Sequence, residues 1–104
     1  MHVYVNKKKF ELFDCDTFQS RFMGLMFIRE FDYCMMFKKC SSIHTFFMKT
    51  NIDVVMTDKN NNVLFVFKNL KPWKIITPKK GVYSTFEFPA GTITSNIKKI
   101  KVGE

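Results

Sequence analysis

Apolar residues along this chain either alternate with polar ones or gather in short β-branched and aromatic runs, as in Val3-Tyr4-Val5, Phe10-Glu11-Leu12 and Val63-Leu64-Phe65-Val66-Phe67. Period two and short buried runs are the marks of strands, because successive side chains of an extended backbone point to opposite faces. The pattern predicts strands over residues 2–5, 9–13, 34–38, 43–47, 52–58, 63–68, 73–77, 82–88 and 99–102. Turn signals at close spacing separate them, which is the signature of an all-β antiparallel sandwich or small barrel. Lys59-Asn60-Asn61-Asn62 predicts a hairpin, since asparagine tolerates the positive φ of tight turns, and Pro78-Lys79-Lys80-Gly81 marks another turn. One segment departs from period two. Residues 16–23 offer Asp16 or Thr17 as N-cap, apolar Phe18, Phe22 and Met23 near helical spacing, and Gly24 as a left-handed stop, predicting one short helix that plugs an end of the sandwich.

Composition fits this picture. The 104 residues are enough for one domain with one core, 46% of them are hydrophobic, and the four glycines and three prolines leave little room for long loops. No apolar run reaches the ~20 residues that span a bilayer, and the first residues lack the apolar stretch of a signal peptide, so a cytoplasmic monomer is the expectation. Cys15, Cys34 and Cys40 are an odd count without paired spacing, which argues for reduced thiols over a disulfide framework or a four-cysteine zinc site. The net charge of +8 raises a nucleic-acid or anionic-membrane reading, yet the lysines are scattered over turns and edges, where they are ordinary protection against strand aggregation.

Candidate chemistry is sparse. Fifteen of the seventeen basic residues are lysine, and both arginines, Arg21 and Arg29, flank one apolar turn. Guanidinium is a planar fork suited to bidentate carboxylate contacts, so these arginines are expected to pair with Asp53 or Glu87 and fix that corner, or else to anchor an anionic ligand there. Met26, Met36 and Met48 with His44 are the soft ligands a Cu(I) site would use, although methionine more often fills gaps between aromatics, and thirteen phenylalanines are present. Cys34 or Cys40 with His44 could in principle form a nucleophile and base, but no phosphate-binding glycine loop, triad order or zinc spacing accompanies them. Lys71-Pro72-Trp73-Lys74 is the best local candidate for contact with a polyanion, with a lid over one end of the sandwich as the competing reading of Trp73. No cofactor or metal is expected.

Five ordered blocks add a resemblance. Arg21-x-x-Gly24-Leu25-Met26-Phe27-x-Arg29, Met35-Met36-Phe37, His44-Thr45-Phe46-Phe47-Met48-Lys49-Thr50, Ile52-Asp53-Val54-Val55 and Phe86-Glu87-Phe88-Pro89-Ala90-Gly91-Thr92 closely resemble the prokaryotic domain-of-unknown-function family 192, with its "GLMFR", "FWMKNT" and "LELPAG" blocks. Cys34 stands where that family usually has glycine, Phe47 where it has tryptophan, and the stretch from Met48 to Asp53 is shorter. The resemblance implies a small all-β domain with no established activity, and many relatives carry an export leader or lipid anchor. The resulting expectation is a non-enzymatic binding or accessory domain for a small anionic ligand or a protein partner, centred on Arg21, Met26, Arg29, Met48, Lys49 and Asp53. A role in envelope or pilus assembly is a family-level expectation. A basic nucleic-acid or membrane-surface binder is the first alternative, and a cysteine-dependent enzyme the second.

Overall fold

Nine strands form in the computed structural model, which describes residues 1–15 and 28–103. They are β1 (His2–Val5), β2 (Lys8–Asp14), β3 (Cys34–Lys38), β4 (Ile43–His44), β5 (Ile52–Thr57), β6 (Val63–Leu70), β7 (Ile75–Ile76), β8 (Ser84–Pro89) and β9 (Lys101–Gly103). Each answers to a run predicted from the pattern. The helix predicted over residues 16–23 lies outside the described residues.

Local chemistry accounts for the hairpins. Val5 pairs with Lys8 across a two-residue turn in which Asn6 and Lys7 take φ of 49° and 66°. That double left-handed turn matches the right-handed twist of paired strands. Between β5 and β6, Asp58 Oδ1 accepts hydrogen bonds from the amides of Asn60 and Asn62 at 2.8 and 3.0 Å, and Asn61 takes φ of 64°. The carboxylate thereby replaces backbone partners that a tight turn leaves unmade.

The strands form a seven-stranded sheet in the order β6-β5-β8-β3-β2-β1-β9 and a two-stranded sheet of β4 and β7. One pairing departs from the antiparallel expectation, because β2 and β3 run parallel. Parallel neighbours need a crossover rather than a hairpin, and residues 15–33 supply its length. The large sheet curls until its ends meet: Asn62 bridges Lys99, the Val63 amide donates to the Lys98 carbonyl at 2.9 Å, and the Ile100 amide donates to the Asn61 carbonyl at 2.9 Å.

Curling gives the sheet an inner and an outer apolar layer. Val3, Leu12, Met36, Val55, Phe86 and Phe88 belong to one buried cluster, whereas Met35, Phe37, Val54, Met56, Met48 and Ile76 belong to the other. Neighbouring positions on β3 and β5 thus serve opposite layers, as period two requires. Ile76 of β7 and Met48 beyond β4 lie in the second cluster, so the small sheet packs over the outer face of the large one.

Candidate functional site

The small sheet is the most unusual part of the surface. β4 and β7 pair for only two residues, Ile43 with Ile76 and His44 with Ile75, although the sequence pattern extends both strands further. Two left-handed residues end them: Phe47 has φ of 63° and Trp73 has φ of 65°. Thr45 sets this geometry. Its buried hydroxyl donates to the Lys71 carbonyl at 2.7 Å and accepts from the Lys74 amide at 2.8 Å, its amide donates to the Lys74 carbonyl at 2.9 Å, and its carbonyl accepts from the Trp73 amide at 3.1 Å. Hydrogen bonds to and from one threonine hold the 71–74 turn.

That turn presents rings to solvent. Trp73 is 60% exposed and Phe47 is 46% exposed, with their ring centres 4.8 Å apart in an edge-to-face contact. Phe46 lies 5.6 Å from Trp73 with planes inclined by 30°, and His44 lies 4.9 Å from Phe46. Cross-strand partners share a face, so Ile75, which is 64% exposed, lies on the side of His44. The exposed cations Lys49, Lys71 and Lys74 stand beside these residues in the chain. A sequence reading that keeps Phe47 on the face of Ile43 and Thr45 misses this arrangement, because positive φ breaks the alternation. Lys71-Pro72-Trp73-Lys74 was the signal that located half of it.

The two carboxylates expected to meet arginines behave differently. Asp53 is 1% exposed, its Oδ1 accepting from the Asn69 amide at 2.8 Å and its Oδ2 from the Ile93 amide at 2.9 Å. Among the described residues its partners are the backbone amides of Asn69, at the end of β6, and Ile93, in the loop after β8. Glu87 is 3% exposed among the apolar neighbours Met35 and Val54, and its Oε1 has no hydrogen-bond partner among the described residues. Burial pushes its carboxyl from 4.5 up to about 8, so it is held neutral at ordinary pH. Arg29 is exposed, while Arg21 and Met26 lie outside the described residues. Met48 is buried and Lys49 exposed, and of the four described residues among the six named from the sequence these two lie beside the aromatic set in the chain.

The sulfur atoms serve packing. Met36 lies in the inner cluster and Met48 in the outer one, while His44 is exposed, so the structure separates these three members of the soft-ligand set. Cys15 and Cys34 are buried, and burial, followed by the nearby Glu87 and Cys15, raises the Cys34 thiol well above its ordinary value. A thiol so disposed is a poor source of thiolate. Cys40 is half-buried, with its sulfur donating to the Ser42 carbonyl at 3.1 Å. A second basic feature is a depression of about 330 Å³ lined by Tyr4, Val5, Asn6, Lys7, Ile97, Lys99 and Lys101.

Among the described residues no helix is long and apolar enough to cross a membrane. Solved structures share the fold. A protein of unknown function from Novosphingobium aromaticivorans superposes with a TM-score of 0.78 at 15% identity, covering 97% of this chain and 82% of its own. A Sinorhizobium meliloti protein described as a candidate transcription regulator superposes with a TM-score of 0.81 at 16% identity, covering 96% and 89%. By sequence, a UPF0127 protein of Thermococcus kodakarensis is 38% identical over 84 residues, 75% of this chain and 53% of the relative. The chain thus spans about half the length of that relative. A UPF0127 protein of Pyrococcus furiosus is 34% identical over 95 residues, covering 86% of this chain and 78% of its own. The family model of DUF192, described as "Uncharacterized ACR", matches residues 1–104, and with these relatives it shows that the chain belongs to the DUF192 (UPF0127) family.

Proposed function

We propose that this protein is a non-enzymatic binding domain whose interaction surface is the aromatic, lysine-flanked end formed by β4, β7 and the turns at residues 45–49 and 71–74. The observation that carries this reading is the joint state of Phe47 and Trp73: bulky residues in left-handed backbone, with their rings displayed to water. Left-handed φ costs a non-glycine residue about 1–2 kcal/mol, and an exposed indole returns little of it through burial. Of the other left-handed positions among the described residues, Asn6, Asn61, Asn69, Gly81 and Gly91 hold residue types suited to that backbone and Lys7 and Lys39 carry exposed lysines, so Phe47 and Trp73 are the two aromatic residues held there. Strain held in place by the hydrogen bonds of Thr45 is the pattern of a preorganised contact surface. Lys49 belongs to this surface, and Met48 anchors it from below in the outer cluster.

The test is a survey of backbone amide chemical shifts on adding probes of different chemistry: inorganic phosphate, oligo(dT), an acidic peptide and phospholipid bicelles. The reading expects the largest shifts at residues 44–49 and 71–76. Responses confined to the Tyr4, Lys99 and Lys101 depression, or to Arg29 and its neighbours, contradict it.

A further inference from the structure

We infer that the partner of this aromatic end is the surface of a bilayer containing anionic lipid, an inference that rests on the binding-surface reading above. Three observations favour a bilayer over a single-stranded nucleic acid. The first is the identity of the exposed groups. Ile75 is the most exposed of the set at 64%, next to Trp73 at 60% and Phe47 at 46%. An aliphatic side chain offers nothing to a stacked base, whereas Trp, Phe and Ile together are the groups that enter the headgroup and acyl boundary.

The second is the state of the indole. Phe46 at a 30° inclination and Phe47 at 62° both lie within 5.6 Å of the Trp73 ring centre, so the indole is already in contact with two phenyl rings. The rings form an exposed aromatic wedge rather than separate flat stacking faces. The third is charge. Exposed Lys49, Lys71 and Lys74 flank these residues in the chain, and residues 33–52 and 59–86 contain no Asp or Glu. Lysine stems lie along apolar surface while their ammonium groups reach outward, which places cations at headgroup level around a shallow apolar insertion. Thr45 holds the wedge ready, so little ordering accompanies contact.

Trp73 is the single tryptophan of the chain, so its emission reports on this wedge alone. The full chain is titrated with mixed phosphatidylglycerol and phosphatidylcholine vesicles, with pure phosphatidylcholine vesicles, and with oligo(dT), and co-sedimentation with the vesicles is measured in parallel. The expected result is a blue shift of Trp73 on the mixed vesicles, with partition at least about tenfold stronger than on phosphatidylcholine alone. Lys71→Glu/Lys74→Glu removes the shift, and Phe47→Ser weakens sedimentation. Lys7→Glu/Lys9→Glu, an equal change of charge on the β1–β2 hairpin, retains the shift. Unmoved emission on the mixed vesicles overturns the inference, as does equal loss in both charge variants. A response of Trp73 to oligo(dT) without one to vesicles also overturns it while leaving the binding-surface reading intact. Vesicle binding with Trp73 unmoved assigns lipid contact to another face and overturns the inference.

Discussion

The buried carboxylate of Asp53 holds the Ile93 amide at 2.9 Å across forty positions of sequence. Through its other oxygen it holds the Asn69 amide at 2.8 Å, where Asn69 takes φ of 53° at the end of β6. Strand β5 is buried at every position, and Asp53 is its only charged residue. A single side chain in the middle of the sheet therefore fixes the end of one neighbouring strand and the loop that follows the other.

Asp53→Ala removes both acceptors and strands the buried Ile93 amide and the part-buried Asn69 amide. An unsatisfied buried group costs about 1–3 kcal/mol and a part-buried one less, so a loss of about 1–4 kcal/mol is expected in urea unfolding. Asp53→Asn keeps one acceptor oxygen but turns an amino group toward the other amide, and falls between the parent and Asp53→Ala.

Glu87 predicts how stability varies with pH. Its carboxyl titrates at about 8 in the fold and near 4.5 when the chain is unfolded. Between these values the folded protein holds a proton that the unfolded chain has released, so this group's contribution falls as pH rises, by about 1.4 kcal/mol per unit, and levels off above pH 8. Glu87→Gln removes that dependence. The melting temperature of Glu87→Gln minus that of the parent is expected to grow from pH 5 to pH 8, and a constant difference contradicts the burial of a protonated Glu87.

Thiol labelling addresses the cysteine-enzyme alternative. Half-buried Cys40 is expected to react first with a disulfide reagent, while Cys15 and Cys34 react only on unfolding, Cys34 being both buried and raised in pKa. A Cys34 that reacts faster than an ordinary free thiol in the native protein reverses this order.

The strand pattern was legible because each of the nine runs carries its own periodicity and turn signals. Asn60 to Asn62 announced their hairpin, and β3 and β5 appear close to their predicted limits, since a buried run ends where polar residues begin. The parallel pairing of β2 with β3 was not legible, because period two specifies faces and not neighbours. Residues 43–47 and 73–77 read as longer strands than β4 and β7 because aromatic residues favour extended backbone. The bonds of Thr45, made to residues 26 and 29 positions away, override that preference.

The candidate site was half legible for a related reason. Lys49 and the Lys71-Pro72-Trp73-Lys74 turn could be named from composition, but the meeting of Phe47 with Trp73 is a tertiary contact. Asp53 was named for its charge and its place in a family block. Its structural partners are backbone amides, and no side-chain pattern reports those.

The claim that Phe47 and Trp73 are displayed for contact, and not packed as a lid, is tested most directly by the urea-unfolding free energy of Trp73→Asn. Asparagine adopts left-handed backbone readily, so the variant relieves strain while removing a ring that is 60% exposed. The account predicts a stability within about 1 kcal/mol of the parent, or above it. A loss of about 3–5 kcal/mol, the range for removing a core aromatic, would show that Trp73 closes the sandwich and would contradict the account.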